Sequence, residues 1–468
     1  MEKNHASKIR TALELETEIA QFTQRVSQLF NEQFIDAEAR ATDFVERESK
    51  LSGHLFLTVF TFGLSIYGTP SLNDLVGLLN LVAPHLEITR QGLHERINKH
   101  AVAFFEKMLA WSISLELPQR LTKEVQTLCP HFQRILILDS TSFQLPPALA
   151  RYFRGSGGGG SKAAVKILFG YDFKAGQFFY RLTDGVTHDH LSDSNFLQQI
   201  VAGDLEISDL GFFNIAALAH IDANGAFYLS RLRPDVKVYQ CCNGELKEFD
   251  LVRFAQKLCI SQAEIEIEVE VYLKKNAIIT KTRLIIAKVP DQVKAQRLRK
   301  LNHISRKKGY TTKKRTKILA GFNLYITNTP ATALASKHVR ALYGIRWQIE
   351  LIFKTWKSNF ALAKVTGKRP ERIKCILYAK LLLIMITTKI CIVVRNYVWL
   401  TMHRELSIFQ ATKYLKIVAL VWLITIIQNS KLLNQQLTSA MKFIAKRCLK
   451  GKSKKRVYPL PLLESMFA

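Results

Sequence analysis

The pattern of apolar and polar positions divides the chain into helical ends and a strand-rich middle. Residues 1 to about 130 place apolar side chains at helical spacing, as at Phe22, Val26 and Leu29. Helical spacing returns at about Ser336 and continues towards the C-terminus. Between them, short apolar or alternating runs predict the strands Ile135–Leu138, Ala163–Tyr171, Gln177–Leu182, Leu205–Ser208, Phe227–Leu232, Glu264–Leu273, Ile278–Val289 and Gly321–Thr327. The pattern therefore predicts an α/β fold, a mixed sheet flanked by helices, with helical N- and C-terminal regions.

The most apolar stretches fall short of a membrane span. They are Leu55–Tyr67, Leu381–Val394 and Ile417–Ile427, and Lys389 interrupts the second. A span needs about 20 uninterrupted apolar residues. We therefore expect buried core helices and no membrane partner. Ile417–Ile427 is a candidate for dimerisation, and packing within the chain explains it equally well.

The net charge indicates the kind of partner. The 468 residues include 67 Lys and Arg against 38 Asp and Glu, which gives a formal charge of +29. Such a charge on a globular chain points to a polyanion, and with membranes set aside the expected partner is nucleic acid. The seven cysteines form no CxxC pair, and residues 1–10 are polar without a signal-peptide core. These features predict a cytoplasmic protein without a disulfide framework or zinc ribbon.

Basic clusters are the candidates for contact with the DNA backbone. Residues 281–330 hold 14 Lys and Arg and one acid, and a predicted loop, Arg297–Lys317, concentrates them. A charge run is often only a solvated surface, but this one lies between predicted strands. Arg231 and Arg233 follow a strand, and for them solvated charge is an equal alternative. The loop's candidate DNA-binding cations are Arg306, Lys307, Lys308, Lys313, Lys314 and Arg315.

Three further motifs each have a plain alternative. A short helix capped by Thr89 displays Arg90, Gln91, His94 and Arg96. It resembles the second half of a helix-turn-helix, and a surface helix explains it as well. The glycine-rich loop Gly155–Lys162 lacks the Gly-Lys-Ser/Thr order of a Walker A motif and is interpreted as a connection. His188 and His190 have no third ligand beside them and are interpreted as surface residues.

One segment carries most of the chemistry. When it is placed on a single helix at about 100° per residue, five polar residues share an arc of roughly 80°. They are Tyr343, Arg346, Glu350, Lys354 and Lys357. An amphipathic surface helix with a Glu350–Lys354 pair explains the charges. It gives no role to Tyr343 or to three cations around one acid, whereas a metal-binding carboxylate flanked by phosphate-binding side chains explains the whole strip.

A metal site needs further carboxylates, and two aspartates supply them. Asp139 and Asp209 each directly follow a short apolar strand. Residues at the carboxyl ends of adjacent strands converge in space. With Glu350 they form a candidate catalytic and metal-binding set for two divalent cations. Oxygen-only ligands select Mg²⁺, with Mn²⁺ as a substitute, rather than zinc. For either aspartate alone, a turn-capping role is the alternative.

These motifs resemble the family 4 insertion-sequence transposases, which are DDE enzymes with an RNase H-like catalytic core. The resemblance covers roughly residues 20 to 375 and rests on Asp139-Ser-Thr-Ser, Asp209-Leu-Gly-Phe-Phe, and the spacing of Tyr343, Arg346, Glu350 and Lys357. It implies a helical DNA-binding region, the first part of the catalytic core, a β-rich insertion, the last core helix, and a helical C-terminal region with a basic tail. These would occupy residues 1–130, 131–225, 226–335, 336–375 and 376–468, respectively.

The resemblance also implies a reaction and partners. The protein would bind the terminal inverted repeats of its element as double-stranded DNA and pair them in a homodimeric complex. It would cleave the ends by metal-dependent hydrolysis, pass through hairpins, and join 3′-OH ends to target DNA in a prokaryotic, nucleoid-associated setting. In hairpin-forming members a Trp of the insertion can stack on a flipped base, but no Trp lies in residues 226–335. A metal-dependent nuclease and a non-catalytic DNA-binding protein are the alternatives.

Overall fold

The structure is a computed structural model that describes the chain except residues 1, 48–49, 69, 128, 157–159, 188–196, 261–265, 366, 452–457 and 468. His188, His190 and the middle of the glycine-rich loop therefore lie outside the described residues. The ends of that loop pair with each other, since Gly155 N donates to Lys162 O at 2.7 Å. This closure agrees with a connection between two strands.

The N-terminal region is helical, as the sequence predicts. Its helices α1 to α7 occupy Glu2–Gln28, Glu32–Ala41, Gly53–Tyr67, Leu72–Val82, Arg90–Arg96, Lys99–Ser114 and Gln119–Thr127. Polar residues begin several of them because a side-chain oxygen there accepts a free backbone N–H. Ser71 and Asp74 form a capping box at α4, and Thr89 Oγ1 accepts from Gly92 N at α5. A cluster of phenylalanines forms the core and includes Phe44, Phe56, Phe60, Phe104 and Phe105.

A ten-stranded mixed sheet forms the centre of the molecule. Its strands β1 to β10 occupy Ile135–Leu145, Ala163–Asp172, Phe178–Asp184, Leu205–Ser208, Phe227–Arg231, Val238–Cys242, Glu245–Glu248, Glu266–Lys275, Ile278–Lys288 and Phe322–Thr327. The order is β3-β2-β1-β4-β5-β10-β9-β8-β6-β7. The pairs β1–β4 and β4–β5 are parallel, and the other neighbours are antiparallel. The predicted mixed α/β, RNase H-like fold is therefore confirmed.

The sheet runs through the predicted boundary at residue 226 without a break. Strand β5 pairs with β4 on one side and with β10 on the other, so the later strands extend the same sheet. Within the described residues, the α-helices between strands are α8, α9, α10 and α11, at Ile215–Ala223, Leu251–Ile260, Asp291–Lys308 and Lys314–Leu319. The domain boundaries stay predictions.

The basic segment Arg297–Lys317 is not the predicted loop. Helix α10 continues to Lys308 and ends at Gly309, which has a φ of +68° that favours glycine. Helix α11 follows after a short connection. Charge density misled the prediction, because Lys and Arg are good helix formers and the segment contains no helix-breaking residue before Gly309.

The remaining helices α12 to α17 occupy Ser336–Gly344, Trp347–Asn359, Pro370–Met402, Ile408–Asn429, Leu433–Arg447 and Pro459–Phe467. By length and composition alone, Pro370–Met402 and Ile408–Arg447 could cross a membrane. The apolar window of the first is wholly buried within the protein, as expected for a core helix, and that of the second is 33% buried. Helix α15 exposes an apolar row at Ile417, Leu420, Val421 and Ile424, and dimerisation through it stays a prediction.

Candidate functional site

Two carboxylates meet on neighbouring parallel strands. Leu138 of β1 lies beside Ser208 of β4 in the register, so Asp139 and Asp209 follow at adjacent positions. Neighbouring strands are about 4.8 Å apart. Asp209 directly follows its strand as predicted, but β1 continues past Asp139 to Leu145 because β2 pairs along its whole length. Asp139 therefore lies in the middle of a strand, where it pairs with Phe169 of β2, and the pairing with β4 ends one residue before it.

Helix α13 brings Glu350 to the same face of the sheet. Phe169 of β2 is the direct cross-strand neighbour of Asp139, so both side chains lie on one face. The Phe169 ring packs edge-on against Trp356 and Phe353 of α13, with centroids 4.6 and 5.7 Å away. These ring contacts position α13 beside Asp139. Glu350, about one helical turn before Phe353, therefore lies near Asp139.

Arg346 lies between two of the carboxylates. Its Nη2 is 2.5 Å from Glu350 Oε1, and its Nη1 is 3.8 Å from Asp139 Oδ2. The side chains of Arg346 and Asp139 are 13% and 16% exposed, so water screens this charge cluster only in part. The guanidinium neutralises charge that would otherwise repel between the carboxylates.

The pKa of Asp139 records how close these groups are. Burial raises it to about 6, while the N–H of Ser140 and the Arg346 guanidinium oppose the rise. The negative charges of Asp209 and Glu350 contribute to this net rise in the pKa. Asp209 and Glu350 therefore lie near enough to Asp139 for their charges to act on its carboxyl group.

Tyr343 is placed differently from the prediction of a single helix. It lies in the last turn of α12, which ends at Gly344, and the chain turns at Ile345 and Arg346 before α13 begins. Its side chain is buried, whereas those of Lys354 and Lys357 are exposed. The Tyr343 ring lies 5.2 Å from that of Tyr325, with Arg346 Cζ 5.6 Å from its centroid, and burial raises its pKa to about 12. Among the described residues its hydroxyl has no hydrogen-bond partner.

The site opens into a cleft of about 550 Å³. Lys354 and Lys357 line it and are exposed, as the helical arc predicts. Ser140, Thr141 and Ser358 also line the cleft and were not predicted as site residues. The first two follow Asp139 directly in sequence, and Thr141 shares its face of the strand, which is the signal that identifies it. The cleft is therefore lined by the carboxylates of Asp139 and Glu350 and by the amines of Lys354 and Lys357.

The three carboxylates offer the ligand atoms that a hard divalent cation prefers, but their side chains are not arranged around a common point. Asp139, Asp209 and Glu350 offer only oxygen ligands, which magnesium and manganese prefer. Within the described ranges, however, no three acidic, histidine or cysteine side chains stand close enough to hold an ion together. Arg346 holds the Glu350 carboxylate by its 2.5 Å contact. A metal ion held by Glu350 would therefore compete with Arg346 for this carboxylate.

The two strand-end arginines lie in different surroundings. Arg231 is the cross-strand neighbour of Tyr325, and its charge reaches Tyr343, so it lies beside the candidate site. Arg233 is exposed and pairs with Asp235 through a 2.6 Å contact. A phosphate would have to compete with that carboxylate, so the geometry favours Arg231 over Arg233 as a DNA contact.

The basic helices separate into surface cations and structural ones. Arg306, Lys307 and Lys308 are exposed in the last turn of α10, and Lys313 and Lys314 are exposed at the start of α11. Arg315 instead donates to Pro234 O and Val236 O, at 2.6 and 2.9 Å, and so anchors the turn after β5. The structure therefore gives Arg315 a structural role, and the exposed five stay predicted DNA contacts.

The short helix α5 does not display its polar residues as predicted. Arg96 donates to Leu51 O at 3.1 Å, and its guanidinium lies over the Phe44 ring. Arg369 donates to His94 O at 3.3 Å. Because Arg96 and His94 hold the helix to the rest of the protein, only Arg90 and Gln91 of the four are exposed. The helix-turn-helix interpretation is weakened accordingly.

Comparison with known proteins gives one consistent family. A family model described as a transposase DDE domain matches residues 130–386. The transposase for insertion sequence element IS231B of Bacillus thuringiensis subsp. berliner is 32% identical over 415 residues, covering 85% of each chain. The transposase for IS1151 of Clostridium perfringens is 27% identical over 405 residues, covering 83% of this chain and 84% of that protein. The match includes Asp139, Asp209 and Glu350 within one domain.

Proposed function

The chain belongs to the transposase DDE domain family and is an insertion-sequence transposase, and from that premise we propose that it moves its element by cutting and joining DNA ends. Transposases act on DNA, and DDE domains in general use divalent metal ions. The observation that carries the proposal is the convergence of Asp139, Asp209 and Glu350 on one face, beside Lys354 and Lys357.

The carboxylates would bind the metal and the cations would bind the DNA. When bound, two Mg²⁺ or Mn²⁺ ions would lower the pKa of the attacking water and stabilise the leaving 3′-oxygen. Lys354 and Lys357 are exposed in the cleft and would contact the phosphates around the scissile bond. Arg346, released from Glu350, would donate its guanidinium to the same phosphates.

The reaction would proceed as cut-and-paste transposition. Water would first cleave one strand at each terminal inverted repeat. The freed 3′-OH would attack the opposite strand to form a hairpin, which reopens before joining to target DNA. In place of a Trp, the candidates in the insertion for stacking on a flipped base are Tyr228, Tyr239, Tyr272 and Phe249, and of these Tyr228 is fully buried. Tyr239, Tyr272 and Phe249 are left for that role.

Binding of the ends would extend beyond the cleft. The exposed cations of α10 and α11 would contact the backbone of double-stranded DNA, since phosphate contacts supply affinity without sequence information. Two chains would pair the two ends as a homodimer. The protein would work in the bacterial cytoplasm on the nucleoid, where its DNA substrate lies.

Strand transfer tests this proposal against the nuclease alternative. The substrate is a duplex of the element's terminal repeat, cut in advance so that it carries a free 3′-OH, mixed with supercoiled plasmid and Mg²⁺. A transposase joins the duplex covalently to the plasmid. A hydrolytic nuclease yields nicked or linear plasmid without joined product, and that result would overturn the proposal. Duplex ending in a 3′-deoxynucleotide is the control, since it has no nucleophile to transfer.

A further inference from the structure

A second cleft, of about 450 Å³, is lined by residues other than those of the carboxylate site. It lies between α6, the segment that follows β1, strand β3 and the start of α14. Phe153, Leu182 and Val102 contribute apolar surface to it, and Tyr152 stands in its wall. No residue of this cleft belongs to the carboxylate site described above.

Tyr152 has the properties of a stacking platform. Its side chain is 43% exposed, although the ring is large and apolar. The Arg151 guanidinium lies 4.5 Å from the ring centroid and so covers part of one face. An exposed aromatic ring backed by an arginine is the arrangement on which proteins stack unpaired nucleobases.

The charges of the cleft favour an anion. Its two acids are paired with arginines: Asp184 with Arg154 at 3.1 Å and Glu371 with Arg369 at 3.7 Å. Lys99 and Lys374 also line the cleft, and neither forms an ion pair within the part of the chain that the structure describes. The cleft therefore combines an aromatic face with two available cations, which match a base and its phosphate.

The cleft faces the same way as the carboxylate site. Asp184 is aligned with Val165, and Val165 with Phe143, on the face that carries Asp139. From Asp139 this position is four residues along β1, about 13 Å, and two strand spacings across, about 10 Å. The straight-line distance from Asp139 to this position is therefore roughly 16 Å, which a few nucleotides of one strand can span. One DNA strand can reach both sites.

We propose that this cleft binds one unpaired nucleotide of the DNA strand, with its base stacked on Tyr152 and its phosphate held by Lys99 and Lys374. The inference rests on the proposed function in that the strand is DNA bound for cleavage. Stacking on the ring does not discriminate between bases, because every base has a π-face. The cleft would thus hold the strand in register without reading its sequence.

Photocrosslinking tests the proposal with the full chain. The probe is single-stranded oligothymidylate containing one 5-iododeoxyuridine, which forms a covalent bond with an aromatic residue stacked on it. We expect the crosslinked peptide to contain Tyr152. Tyr152→Ala should lower the crosslinking yield about ten-fold, whereas Tyr152→Phe keeps the ring and the yield. Phe409→Ala is the matched control, because Phe409 is 47% exposed and lies outside the cleft, and its yield should not change.

The outcomes separate this inference from the proposed function. Crosslinking requires neither metal nor cleavage, so it is read in the absence of Mg²⁺. A chain that cleaves and joins DNA but crosslinks elsewhere, with unchanged yield in Tyr152→Ala, would overturn the cleft alone. A chain that crosslinks at Tyr152 but neither cleaves nor joins DNA would overturn the proposed function alone. Weaker oligothymidylate binding by the Lys99→Ala, Lys374→Ala double variant would support the phosphate contact, and unchanged binding would contradict it.

Discussion

Arg346 holds the Glu350 carboxylate through a 2.5 Å contact between Nη2 and Oε1, one helical turn apart. The same guanidinium lies 3.8 Å from Asp139, so one cation lies between two of the three candidate metal ligands. It keeps negative charge together in a partly buried site before any metal or DNA arrives. Binding of either would exchange this internal partner for an external one.

Replacement of Arg346 tests that exchange. Arg346→Ala removes a phosphate donor and leaves the carboxylates to repel each other, so we expect Mg²⁺-dependent cleavage of end DNA to fall by about 100-fold or more. Arg346→Lys keeps the charge but loses the forked geometry, and should fall between the two. The measurement is the single-turnover cleavage rate. Wild-type rates for Arg346→Ala would show that the guanidinium has no part in the reaction.

Phe169 is expected to position the catalytic helix. Phe169→Ala removes the ring against which Trp356 and Phe353 pack, and a cavity of this kind costs about 3–5 kcal/mol of unfolding free energy. We expect the protein that remains folded to cleave DNA slowly, because α13 is no longer held in position beside Asp139. Phe104→Ala is the control, since Phe104 is equally buried in the N-terminal core. We expect Phe104→Ala to lose a similar amount of stability while its folded fraction cleaves DNA at the normal rate. A normal cleavage rate for folded Phe169→Ala would contradict the positioning role of Phe169.

Lys380 joins three segments from within the buried helix α14. Its amine donates to Gly68 O and Lys364 O at 2.6 Å and to Ala361 O at 2.9 Å. Lys380→Met leaves these carbonyls without a donor, and we expect a loss of about 3 kcal/mol in unfolding free energy. Denaturant unfolding measures it. Lys237→Met, at an exposed pair with Glu248, should cost far less unfolding free energy. Equal effects of the two substitutions would contradict this account.

Glu206 makes stability depend on pH. It is buried in β4, and burial raises its pKa to about 7 against the effect of the Ser208 hydroxyl. The folded protein therefore holds a proton that the unfolded chain releases at lower pH. The stabilisation that protonated Glu206 gives the folded protein is fully present below pH 4.5, the pKa in the unfolded chain. It is lost as the pH rises through about 7. Stability should fall by about 2–3 kcal/mol between pH 5 and 8 relative to Glu206→Gln. If the unfolding free energies of wild type and Glu206→Gln changed in parallel with pH, Glu206 would not be the source of the pH dependence.

The exposed cations of α10 should determine much of the salt dependence of DNA binding. Replacing Arg306, Lys307 and Lys308 with Gln removes up to three phosphate contacts, and each contributes about 0.9 to the slope of log K against log salt concentration. We expect the slope to decrease by about 2 to 3, measured by duplex binding over a salt series. A triple Gln variant at Lys413, Lys416 and Lys431 carries the same charge change outside the proposed interface. Equal slopes for the two variants would contradict the assignment of Arg306, Lys307 and Lys308 as DNA contacts.

The sequence predicts the parts of this fold that local pattern governs. The position of Asp209 directly after its strand follows from a short apolar run, whereas β1 continues past Asp139 to Leu145; parallel pairing of the two strands makes the aspartates neighbours. The helical arc correctly predicts exposed Lys354 and Lys357. It fails at Tyr343, because spacing cannot show that the chain turns between α12 and α13.

Other features depend on tertiary contacts that no local pattern contains. Nothing in the sequence links Phe169 to Trp356, or Lys380 to Gly68, across long separations. The same holds for the Tyr152 cleft, which four separate elements assemble. Charge density likewise did not distinguish Arg315, which anchors a turn, from the exposed cations beside it.

The most direct test of the central claim is cleavage by Glu350→Gln. This substitution keeps the size of the side chain and removes the charge that a metal needs. We expect binding of end DNA within about twofold of wild type, and Mg²⁺-dependent cleavage reduced about a thousandfold. Glu46→Gln, at an exposed acid far along the chain, should leave both unchanged. Cleavage by Glu350→Gln at the wild-type rate would contradict the assignment of Asp139, Asp209 and Glu350 as the catalytic carboxylates.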